Sequence, residues 1–104
     1  MTRYEPYKEG DKWFLDVDRD DEVNYVANVL KWLTDNSTST SDFTPIPVGC
    51  TLLQKGTVQG ELGSLLPVKL KVSFDVEDPH CTFRVDTTDD QQFDKTIWFK
   101  EAVN

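Results

Sequence analysis

"VKLKVSFDV", residues 68–76, is the most regular stretch of this chain. Val68, Leu70, Val72, Phe74 and Val76 alternate with Lys69, Lys71, Ser73 and Asp75. Successive side chains of a strand point to opposite faces, so the stretch predicts a β-strand with one dry and one wet face. A dry sheet face has to be covered by a second layer, which makes this stretch decisive for the fold class.

The pattern continues toward the C-terminus. After a turn at 77–80 ("EDPH"), residues 81–87 ("CTFRVDT") place Cys81, Phe83 and Val85 inward and Thr82, Arg84 and Asp86 outward. Residues 88–92 ("TDDQQ") turn again. Residues 93–103 ("FDKTIWFKEAV") form the last predicted strand, with Phe93, Ile97 and Phe99 toward one side and Trp98 on the other.

Toward the N-terminus the signals are weaker. Residues 59–66 ("QGELGSLL") are a glycine-punctuated turn, and 50–58 ("CTLLQKGTV") a strand with Cys50, Leu52 and Gln54 on one face. Residues 34–49 ("TDNSTSTSDFTPIPVG") read as a loop, rich in Ser and Thr and broken by Pro45 and Pro47. Residues 22–33 ("EVNYVANVLKWL") fit two periods. Val23, Val26, Leu30 and Leu33 make a helical stripe, whereas Val23, Tyr25, Ala27 and Val29 make a strand face. The β-branched and aromatic content favours the strand. Residues 12–17 ("KWFLDV") alternate as a half-buried strand with Trp13, Leu15 and Val17 on one face. Residues 1–11 ("MTRYEPYKEGD") form a polar arm with Tyr4 and Tyr7 around Pro6. The expectation is therefore a flexible arm over 1–11, followed by a single all-β domain over 12–104. That domain is an antiparallel sandwich of about six or seven strands.

Composition narrows the function. A chain of 104 residues, 12% of them aromatic, can bury one core without staples. No apolar run is long enough to span a bilayer, and the N-terminus lacks the apolar region of a signal peptide, so no membrane role is expected. A formal net charge of −8 repels phosphate backbones and disfavours nucleic acid. Cys50 and Cys81 are expected as reduced, buried thiols.

Residues 15–25, "LDVDRDDEVNY", are the one chemically suggestive stretch. Asp16, Asp18 and Asp20 copy the opening of a calcium loop, but Asp21 stands where a glycine must turn and Ala27 where a bidentate acid must close the cage. A looser calcium site built with Asp75, Glu77, Asp78, Asp89 and Asp90 stays open, against the plainer reading of a solvated acidic turn. His80 next to Cys81 would point to opposite faces of a strand, a poor nucleophile–base geometry. No nucleotide or cofactor motif occurs. The reading is a non-enzyme with no catalytic residue, no metal and no cofactor. Tyr4, Tyr7, Trp32 and Trp98 fall on faces the alternation does not bury. They are the candidate contacts for a protein partner, with a sugar-stacking platform as the alternative.

The acidic opening "DRDDEVNYVANVLKWL" (18–33), the "DNSTSTSDFTP" (35–45) that follows, and the closing "HCTFRVDTTDDQQFDKTIWFKEAV" (80–103) together resemble a family. It is the small Ig-like virion structural proteins of tailed bacteriophages, the fiber–tail adaptors. Thr87-Thr88 ahead of the Asp89-Asp90 turn matches the late hairpin of that family. The resemblance implies an Ig-like sandwich without enzymatic activity, made in the host cytoplasm and incorporated into the virion. It also implies other virion proteins as partners, within a multi-copy symmetric assembly. On that reading the aspartates of 16–21 are a structural turn.

Overall fold

A computed structural model describes residues 6–19 and 21–102; Tyr4 and Asp20 lie outside the described residues. Eight strands carry the described residues. They are β1 (Tyr7–Glu9), β2 (Lys12–Val17), β3 (Glu22–Asn28), β4 (Thr40–Val48), β5 (Cys50–Lys55), β6 (Leu65–Val72), β7 (His80–Thr87) and β8 (Gln92–Glu101). A short α-helix, α1 (Leu30–Asp35), lies between β3 and β4. The strands form two sheets, one in the order β1-β2-β8-β7-β4 and one in the order β3-β6-β5. The chain is thus an all-β sandwich of two packed sheets. All pairs are antiparallel except β2 with β8, which run parallel. A parallel pair needs a long connection, and here nearly the whole chain supplies it.

The predicted phases of β6 and β7 hold. Val68, Leu70 and Val72 are buried, as are Cys81, Phe83 and Val85. They meet Phe43 from β4, Tyr25 and Ala27 from β3, Leu15 and Val17 from β2, and Ile97 and Phe99 from β8. β6, however, starts at Leu65 and stops at Val72. The chain has to cross from one sheet to the other before His80, a gap of about 10 Å between layers. Ser73–Pro79 make that crossing, with the Ser73 N–H bonded to the Gly49 carbonyl, Phe74 half-buried and Val76 exposed.

Three other expectations are corrected. Residues 22–33 are strand only to Asn28. The Asn28 side-chain oxygen then accepts the Leu30 N–H and α1 follows, with Leu33 fully buried and a Lys31–Asp35 ion pair on the wet side. Residues 40–48, expected as loop, are the longest edge strand. Its prolines are tolerated for a traceable reason. The Thr87 N–H bonds to the Gln91 carbonyl in the β7–β8 hairpin, so the odd residues of β7 aim their backbone at β8 and the even ones at β4. In the β4–β7 register Pro45 stands opposite Phe83 and Pro47 opposite Cys81, so the proline nitrogens face the open edge, where no donor is needed. Finally, the arm expected over 1–11 is sheet from Tyr7 onward. Gly10, at a φ of 60°, turns the chain so that β1 pairs with β2, and the Tyr7 hydroxyl donates to an Asp16 carboxylate oxygen.

The β7–β8 turn is tied down by one carboxylate. Asp89 Oδ1 accepts the hydroxyls of Thr38 and Thr87, each at 2.6 Å, and Oδ2 accepts the Gln91 amide at 2.7 Å. The hydrogen bond from Thr38, then those from Thr87 and Gln91, hold the Asp89 carboxyl down at about 2. A folded-state value below the unfolded value of about 3.9 stabilises the fold above that pH, and the stabilisation is lost as pH falls toward 2. Asp89→Asn should therefore lower the melting temperature at pH 7, and the gap to wild type should narrow at pH 2. A pH-independent gap in thermal unfolding would mean that the charge on Asp89 is not what these donors recognise.

Candidate interaction surface

The inner faces of both sheets are spent on the core, so the outer faces are what the molecule offers to others. On the five-stranded sheet the registers bring side chains from every strand into one line. Tyr7 pairs with Phe14, Phe14 with Trp98, Trp98 with His80, and His80 with Val48. All point away from the core, because their neighbours Leu15, Ile97, Phe99 and Cys81 are the buried ones. Five strands at a spacing of about 4.8 Å make the row roughly 19 Å long. Ile46, two residues from Val48 on the same face, widens it; Val48 is 43% exposed and Ile46 36%.

The row is ordered by ring contacts. Tyr7 and Phe14 stack with centroids 6.0 Å apart, and the His80 and Trp98 rings lie 4.3 Å apart. Two lysines lie over it, with Lys12 Nζ 4.3 Å from the Trp98 ring centre and Lys100 Nζ 4.4 Å from that of Phe14. Lys100 is in turn held by Glu9 at 2.6 Å. Lysine stems laid on aromatic faces keep such a surface wetted while leaving ring edges for a partner. His80 is oriented from behind, with Nδ1 2.8 Å from the Asp78 carbonyl. On a molecule of net charge −8, this face carries cations over aromatics.

Of the four residues singled out from the sequence, Tyr7 and Trp98 lie together in this row. Trp32 does not. Its ring stacks on Phe93 with centroids 3.7 Å apart, half-buried where α1 meets β8. Phe14, His80 and Val48 were missed. Phe14 had a local signal, since it occupies the outward phase of "KWFLDV" opposite Leu15 and Val17. His80 and Val48 had none, because only the register places them beside Trp98.

The other chemically suggestive groups are otherwise engaged. The turn between β2 and β3 borders a cleft of about 280 Å³ lined by the acids Asp16, Asp18, Asp21 and Glu22 together with Leu15, Val17 and Val23. Asp16 takes the Tyr7 hydroxyl. Arg19 bonds to Glu101 at 2.8 Å and Asp75 at 3.3 Å, and these partners, Glu101 first, raise its pKa. No group of three or more His, Cys, Asp or Glu side chains among the described residues converges as a metal site would. Both cysteines are free thiols. Burial pushes Cys81 up to about 12 and Cys50 up to about 11, so neither is a thiolate at neutral pH. Cys81 points into the core while His80 points out, which separates the two groups that would have to cooperate in nucleophilic catalysis. Neither a family model, nor a curated protein, nor a solved structure matches the chain.

Proposed function

We propose that this chain is a non-enzymatic, Ig-like structural module of a bacteriophage virion that docks on other virion proteins through the outer face of its five-stranded sheet. The strand order supports the Ig-like part of this reading. β3-β6-β5 opposite β8-β7-β4 corresponds, strand for strand, to the B-E-D and G-F-C order of a constant-type immunoglobulin sandwich, with the first long strand moved beside the last. The observation that carries the docking part is the row Tyr7–Phe14–Trp98–His80–Val48. Aromatic residues are what interface centres are enriched in, and their rigid rings lose little entropy on binding. A sugar platform would need an open ring face. Lys12 lies over Trp98, which favours a protein partner.

The test is incorporation. Particles produced with a Phe14→Ala/Trp98→Ala chain, and separately with Val48→Glu, should contain far less of it than wild-type particles do, read by quantitative immunoblot of purified virions. Val48 is exposed, so its substitution leaves the core intact. Circular dichroism on each variant checks the fold. Wild-type incorporation of both variants would sink the docking role of this face. Retention on a glycan array that is lost with Trp98→Ala would put the carbohydrate reading first.

A further inference from the structure

Two crossings between the sheets meet at one end of the sandwich, and each is followed by a cysteine. The chain passes from β4 to β5 through Gly49, and from β6 to β7 through 73–79. The Ser73 N–H bond to the Gly49 carbonyl ties the two crossings together. Cys50 is the first residue of β5, and Cys81 the second of β7.

Both side chains point into the sandwich, one from each sheet. Cys50 stands opposite Val72, a buried residue of β6, so it takes the inward phase of the three-stranded sheet. It is half-buried and packs against the core. Cys81 takes the inward phase of the five-stranded sheet and has no exposed surface. Cys50 Sγ lies 3.3 Å from the His80 carbonyl oxygen and 3.8 Å from that of Val48. Val48 and His80 are paired and their side chains point outward, so this sulfur covers the inner side of their pair. The next pair along, Pro47 with Cys81, points inward. The Cys50 sulfur therefore reaches across the corner to the peptide that leads into Cys81. Burial, and then the charge of a nearby Cys50 thiolate, push the Cys81 thiol up to about 12.

We propose that Cys50 and Cys81 are a redox pair, which a small disulfide oxidant such as glutathione disulfide closes into a covalent bond between the two sheets. Cys50, the more accessible thiol, loses its proton and attacks one glutathione sulfur, and the other glutathione leaves as a thiol. Cys81 then loses its proton and attacks the Cys50 sulfur, expelling the second glutathione. Two protons and two electrons pass from the pair to the oxidant, so one glutathione disulfide becomes two glutathiones. The Cys81 thiol now meets the Ile46 backbone, and its side chain turns from there toward Cys50 as the bond forms. Both thiols are protonated at neutral pH, which makes closure slow. The bond closes a loop of about 30 residues and clamps the corner that carries His80 and Val48. It lies inside the sandwich and does not depend on what docks on the aromatic row.

The folded full chain, kept with glutathione disulfide at mildly alkaline pH, should lose both free thiols and two hydrogens of mass while staying monomeric. Peptide mapping should recover Cys50 joined to Cys81. The oxidised chain should melt several degrees above the reduced one, because a cross-link that the native geometry accepts stabilises the fold. In Cys50→Ser, a change at a half-buried position, Cys81 should gain no glutathione while the chain is folded, as circular dichroism checks. Cys50→Ala gives the same readout should the serine variant unfold. A folded wild-type chain that keeps both thiols after prolonged exposure overturns the proposal, and so does one that stops as a glutathione adduct on Cys50. An oxidised chain, paired in urea and refolded, that melts no higher than the reduced chain also overturns it. So does glutathione on Cys81 of a folded Cys50 variant.

Discussion

Phe83→Ala should cost about 3–5 kcal/mol of folding stability, the range for emptying a fully buried aromatic site. Phe83 has no exposed surface and sits on β7, between β8 and β4. Its ring lies 5.8 Å from that of Tyr25 across the sandwich and 6.1 Å from that of Phe43 on the next strand. A small domain has only about 5–15 kcal/mol in total, so this one change removes a large share of it. Phe74→Ala should cost clearly less, about 1–2 kcal/mol, because Phe74 lies beyond the end of β6 and is only half-buried. Lys71→Ala, on the wet face, should stay within about 0.5 kcal/mol. Urea unfolding of the three variants reads the order directly. Equal losses at Phe74 and Phe83 would mean that β6 runs on through Val76.

The second large effect is expected at Leu33. It has no exposed surface and is the one buried residue of α1, so Leu33→Ala should cost about 2–5 kcal/mol. A helix of six residues is too short to form alone, and its docking through this side chain is what holds it. Leu30→Ala, at a half-buried position of the same helix, should cost less. Were the two equal in thermal unfolding, α1 would not be docked by Leu33, and the geometry of the β3–β4 link would have to be different.

Residues 22–33 show where local reading runs out. Val23, Tyr25, Ala27 and Val29 obey the strand period, and the strand is there. The change to helix at Leu30 depends on Asn28 capping the Leu30 N–H and on Ser64 taking up the Val29 N–H from 35 residues away. Residues 40–48 show it more sharply. Pro45 and Pro47 are loop signals anywhere except on an edge whose donors face water, and being on an edge is not a local property.

The sequence by itself determined the two-layer β class, the inward faces of β6 and β7, and the outward phase of Trp98. The period-2 code is written in adjacent residues and needs no partner to be read. It also made clear that Asp16, Asp18 and Asp20 do not open an EF-hand, because the positions that must turn and close such a loop hold the wrong residues. Only the tertiary structure decided that Tyr7, Phe14, Trp98, His80 and Val48, drawn from five strands, form one row. The same holds for the parallel pairing of β2 with β8, and for Pro45 and Pro47 falling on the open side of β4. These are matters of register and strand order. They are set by which distant strands bury each other's apolar faces, so no stretch of adjacent residues encodes them.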